Sequence, residues 1–115
     1  MIEKIMLDYL NSVLTPPVYM ERPVDPPDEY VIIQKTGSSK RNMICSATLA
    51  FQSYSETLYG AATLNEDVKT AVEASISLPE ISSAKLNSDY NFTNTASKQY
   101  RYQAVFDITH YQEDN

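Results

Sequence analysis

The chain has 115 residues, 43% hydrophobic and 21% charged, which fits one folded domain with a modest core rather than a disordered segment. A formal charge of −6 argues against a protein held on phosphate backbones, and no apolar run approaches the roughly 20 residues that span a bilayer. Glu3 and Asp8, inside the first apolar stretch, argue against a secretory signal.

Ile2, Ile5, Met6, Tyr9, Leu10, Val13 and Leu14 recur at helical spacing and predict an amphipathic helix over residues 2–14, stopped by Pro16-Pro17. Val18-Tyr19-Met20-Glu21 is a short extended piece, and the proline-rich stretch 22–29 is a stiff connection. Tyr30-Val31-Ile32-Ile33-Gln34-Lys35 predicts a strand, followed by a polar loop over 36–42. In residues 43–53, Cys45, Ala47, Leu49 and Phe51 alternate with Ser46, Thr48 and Gln52, predicting a strand that pairs with the previous one across that long loop.

Ser53-Tyr54-Ser55-Glu56 has the capping-box form and predicts a helix start. Leu58, Ala61, Ala62, Val68, Ala71 and Val72 carry that helix towards Ser77-Leu78-Pro79. Gly60 costs it about 1 kcal/mol relative to Ala, which close packing would explain. Residues 81–86 are compatible with a short strand, and the polar stretch 87–97, with Tyr90 and Phe92 in it, is loop-like. Tyr100, Tyr102, Ala104, Phe106 and Ile108 alternate with Arg101, Gln103, Val105, Asp107 and Thr109 and predict a last strand; the tail over 112–115 is polar and expected to fray. The expected fold is α+β: a mainly antiparallel sheet of about four to five strands with two α-helices packed on one face, leaving open edges and an uncovered face for partners.

Chemistry is sparse. Two glycines leave no phosphate-binding loop, and one His with one Cys makes no structural zinc site. Cys45 is expected to be a small buried hydrophobe lying apart from His110. Asp25 with Asp28-Glu29, and Glu66-Asp67, are solvated surface acids rather than an acid–base couple. No serine has an elbow motif, so no catalytic residue and no cofactor is assigned. Asn91-Phe92-Thr93 matches the glycosylation triplet by chance. Nine tyrosines without a tryptophan lean towards protein contacts, although a small domain also uses tyrosines to close its core.

Certain phrases in this order of elements carry a resemblance. They are Val18-Tyr19-Met20-Glu21-Arg22-Pro23, Pro27-Asp28-Glu29-Tyr30-Val31-Ile32, Gln34-Lys35-Thr36-Gly37, Ala47-Thr48-Leu49-Ala50-Phe51-Gln52-Ser53-Tyr54-Ser55, and Tyr100-Arg101-Tyr102-Gln103-Ala104-Val105-Phe106. Together the chain resembles the tail terminator (tail completion, head–tail joining) proteins of long non-contractile-tailed phages and prophages. The resemblance implies a non-enzymatic ring, usually a hexamer, that caps the tail tube, stops its polymerisation and meets the head connector. It implies a place in the virion tail or neck after assembly in the bacterial cytoplasm, with DNA passing through unbound and no membrane partner. The loops over 36–42 and 87–97 then supply the candidate contacts: Ser38, Lys40, Arg41, Asn42, Tyr90 and Phe92. Another connector or minor tail protein fits the same pattern; a small ligand-binding module is the alternative of a different class.

Overall fold

The apolar spacing at the start of the chain forms helix α1 (Ile2–Val13), which buries Ile2, Met6 and Leu10, in a computed structural model that describes residues 1–111. Asn11 fixes the exit from this helix: its side chain accepts from Val18 N (2.9 Å) and donates to Val18 O (3.1 Å). Strand β1 (Val18–Tyr19) follows, then the proline-rich connection, then β2 (Tyr30–Arg41) and β3 (Ile44–Ser55). Helix α2 (Leu58–Glu73) runs on into a 3-10 turn at Ala74–Ser77, and β4 (Ile81–Asn91) and β5 (Tyr100–Tyr111) complete the described chain. The tail over 112–115 lies outside the described residues.

The strands form one sheet in the order β1-β2-β3-β5-β4. β1 is parallel to β2 and the other pairs are antiparallel. Both helices pack on one face, as expected. α1 lies over β1 and β2, and α2 over β3 and β5. The core between them joins Met6 and Leu10 of α1, Val68 and Val72 of α2, and Val31, Ile33, Leu49, Phe51, Phe106 and Ile108 of the sheet. Tyr9 ties the helices together by donating to Ala71 O at 2.7 Å.

Three local expectations are corrected. The polar loop over 36–42 is not a loop: β2 stays paired to β3 from Tyr30 to Arg41, with one irregularity between Lys35 and Gly37. Only Asn42 and Met43 turn the chain, with φ of 52° and 70°. Positive φ at both central residues is the type I′ hairpin signature, which normally carries Gly second. Met pays for that geometry with Cβ crowding of about 1 kcal/mol. Met43→Gly is therefore expected to raise stability by about 1 kcal/mol, read as a higher urea midpoint at unchanged slope.

The helix also starts later than the sequence signal suggested. Ser53 is fully buried within β3, opposite Val31 and Tyr102, with no hydrogen-bond partner for its hydroxyl among the described residues. Thr57 caps α2 instead, accepting from Gly60 N at 2.9 Å. A Cβ on Gly60 would sit 2.2 Å from Ser55 Oγ, so close packing at the strand-to-helix corner accounts for this glycine.

Finally, residues 87–91 belong to β4, and the turn is confined to 92–99, closed by an Asn94–Gln99 bridge. Pairing with β5 overrides the turn preference of Asn87, Ser88 and Asp89.

Candidate functional site

The face of the sheet away from the helices carries an ordered array of aromatic, amide and guanidinium groups, of which Tyr30, Tyr54 and Gln103 are buried. Register places Tyr30, Tyr54 and Arg101 in one row across β2, β3 and β5. Ile32, Gln52, Gln103 and Tyr90 form the next row, across β2, β3, β5 and β4. The period-two alternation of each strand sends these side chains away from the helices.

Within the array the groups lock one another. Tyr30 and Tyr54 stack with centroids 4.6 Å apart and planes 5° from parallel, and Tyr19 meets Tyr30 edge-on at 6.3 Å. Arg101 lies 4.4 Å over the Phe92 ring, donates from Nε to Phe92 O (2.7 Å), and donates from Nη1 to the Tyr54 hydroxyl (3.0 Å). Tyr54 in turn donates to Gln52 Oε1 (3.2 Å), and Gln52 Nε2 donates to Gln103 Oε1 (2.8 Å). Gln103 Nε2 donates to the Tyr90 hydroxyl, and Tyr90 meets Phe92 edge-on at 5.8 Å, closing the circuit.

Tyr30, Ile32, Tyr54 and Gln103 are already buried in this layer, so the circuit braces the exposed Tyr90 and Phe92 in fixed rotamers, which lowers the entropy cost of burying those two against a partner. Arg101→Ala removes two side-chain hydrogen bonds and cation–π contacts with Phe92 and Tyr54, and is expected to cost about 2 kcal/mol in a urea melt. Burial pushes the Tyr30 hydroxyl above its usual value of 10.0, with the charge of Arg22 opposing, and burial likewise raises Tyr9. A raised tyrosine contributes stability that is fully present below pH 10 and is lost as pH climbs through the folded value. An alkaline loss of stability starting near pH 10 is expected, with Tyr30→Phe reducing it, measured by chemical melts from pH 8 to 11.

The six residues singled out from the sequence separate into two groups. Tyr90 and Phe92 sit on this array, 40% and 39% exposed. Ser38, Lys40, Arg41 and Asn42 lie at the far end of the sheet, in the exposed arm of the β2–β3 hairpin. Tyr54 proves to be an interior brace of the array, and Tyr59, at 82% exposed, lies on the helical side. Arg101, Gln52 and Gln103 escaped notice because their meeting depends on β3 lying beside β5, which no local pattern announces.

Cys45 and His110 do not lie apart: they are direct cross-strand partners on the helix side, with Lys40 opposite Cys45 on β2. Antiparallel pairing of the sheet centre brings them together. They border a cleft of about 400 Å³ with Met1, Ile2, Glu3 and Lys35. His110 Nδ1 lies 3.2 Å from Tyr111 O, and the Glu3 carboxylate faces Lys35 at 3.7 Å. Among the described residues, no three His, Cys, Asp or Glu side chains are grouped to hold a metal ion.

Strand edges add to the surface. Among the described residues, β4 pairs only with β5, and β2 meets β1 only at Val31 and Ile32. Charge is segregated as well. The hairpin over 30–55 carries Lys35, Lys40 and Arg41 and no acid, so all fifteen Asp and Glu lie elsewhere. Near the opposite end, Glu56 is pushed above its usual value by a hydrogen bond with Asp28, then by that residue's charge and a smaller burial effect. No family model matches this sequence, and no curated protein matches it significantly.

Proposed function

We propose that this protein is a phage assembly component of the tail terminator type, a ring subunit that caps the tail tube, ends its growth and offers a surface to the head connector. The observation that carries the reading is the sheet face away from the helices, where buried Tyr54 and Gln103 brace Gln52, Arg101 and the exposed Tyr90 and Phe92. Preorganised tyrosine and arginine groups on a flat sheet suit broad protein contacts better than enclosure of a small substrate. Two incompletely paired strand edges supply further contact surface, and the sequence resemblance supplies the specific role. An acidic chain also suits a ring through which DNA slides without being gripped.

The test is tube growth in vitro. Polymerising tail-tube protein is incubated with this protein, and tube lengths are measured by negative-stain microscopy. Growth arrested in proportion to added protein, with density at one tube end, supports the role. Unchanged length distributions and bare ends refute it.

A further inference from the structure

We infer that the tip of the β2–β3 hairpin of one copy docks into the cleft between α1 and α2 of a second copy. This deepens the assembly reading, and rests on it for taking the partner to be another copy of the chain.

The tip is shaped to present side chains. Met43 occupies a left-handed backbone position where Gly would sit without strain, and it is 60% exposed. Ile44 beside it is 42% exposed, and Lys40 and Arg41 lie on the facing strand, with Arg41 directly opposite Ile44. A strained turn that holds an apolar side chain in solvent gains nothing within one copy, which directs attention to a contact outside it.

The cleft has the complementary character. It is an open cleft of about 750 Å³ between the C-terminal half of α1 and the side of α2 towards α1. Tyr9, Val13 and Leu14 form one wall and Tyr59 and Leu64 the other, while Glu29 and Asp67 bring negative charge to the same cleft. Val13 and Tyr59 are 53% and 82% exposed, so apolar surface is available at its mouth. Aliphatic tip side chains match the walls, and Lys40 and Arg41 match the acids.

These two patches cannot meet within one copy. The tip lies where β5 ends, since Ile44 pairs with Tyr111, whereas the cleft includes Pro16 and Glu29 near the opposite end of the sheet. The described fold is 44 Å along its longest axis. A contact between different patches of identical subunits is heterologous, so it propagates head to tail and closes into a ring when the rotation allows.

The experiment uses Cys45→Ser chains bearing either Met43→Cys or Tyr59→Cys, one of them mass-tagged, mixed and oxidised. The expected result is that 43–59 disulfides form at least about tenfold faster than 43–43 or 59–59 links, as a preformed contact raises effective concentration. In parallel, sedimentation velocity follows Met43→Gly, which should keep or raise stability yet weaken self-association about tenfold or more, as for loss of one apolar anchor. Random or absent cross-links overturn the inference, as does an oligomer unchanged by Met43→Gly and Ile44→Asp. An oligomer that survives both substitutions leaves the assembly reading standing on other surfaces. Displacement of a co-purified apolar small molecule from the cleft, without any 43–59 link, also overturns it.

Discussion

Phe106→Ala is expected to remove about 3–5 kcal/mol of stability, the largest loss from any single substitution considered. Phe106 is fully buried on the interior strand β5, between Leu49 of β3 and Leu86 of β4 in register. Its ring meets that of Phe51 edge-on, at 5.9 Å and 81°. Truncation removes the apolar burial and that aromatic contact together, and opens a cavity in the layer beneath α2. Domains of this size have only about 5–15 kcal/mol in total, so the variant should be partly unfolded at 37 °C. Phe106→Leu keeps most of the volume and should cost under about 1.5 kcal/mol. Urea melts of the two variants separate a packing role from a general intolerance of the position: equal losses would contradict it.

The second large effect is expected at Asp89, which sends its carboxylate towards the helices from β4. Asn65 Nδ2 donates to Oδ1 at 2.6 Å, and Lys69 Nζ meets Oδ2 at 2.5 Å. Asn65 is 2% exposed, and the Lys69 and Asp89 side chains are 18% and 26% exposed. Asp89→Ala strands a buried amide and a largely covered ammonium, and should cost about 2–3 kcal/mol. Lys69 also pairs with Glu66, whose side chain is 67% exposed, so Glu66→Ala should cost under about 1 kcal/mol. That contrast between two partners of one lysine is the test, and comparable losses would sink the assignment. The Lys69 ammonium is raised above its usual 10.5 by the Asp89 bond first and the Glu66 bond second, with burial opposing. Its contribution is therefore complete below pH 10.5 and fades as pH rises through the folded value, so Asp89→Ala should flatten the alkaline limb. Because Tyr90 follows Asp89 directly, this latch also seats the edge of the open-face array.

Much of the architecture was legible in the pattern of residues. The four-residue spacing of Ile2, Met6 and Leu10, and the alternation of Ala104, Phe106 and Ile108, each have one physical solution, and both were observed. The errors have a common cause. Gly37, Ser38 and Ser39, and likewise Asn87, Ser88 and Asp89, prefer turns locally, yet a neighbouring strand satisfies their backbones and keeps them extended. Asn42-Met43 hid the hairpin turn because Met replaces the expected Gly. Ser53 and Glu56 match a capping box that tertiary pairing of β3 overrules.

The candidate site was the least legible part. Tyr90 and Phe92 could be selected by type, but the roles of Gln52, Gln103 and Arg101 arise only when β3 and β5 become neighbours. The same adjacency placed Cys45 against His110, opposite to expectation. Nonlocal register, rather than composition, creates both groupings.

The most direct measurement of the proposed role is negative-stain microscopy of lysates from a phage or prophage with this gene deleted. A tail terminator predicts tubes of abnormal length beside unattached, DNA-filled heads, both corrected by supplying the wild-type chain. Normal-length tails without heads would reassign the protein to the head–tail connector, and intact infectious particles would contradict the assembly role altogether.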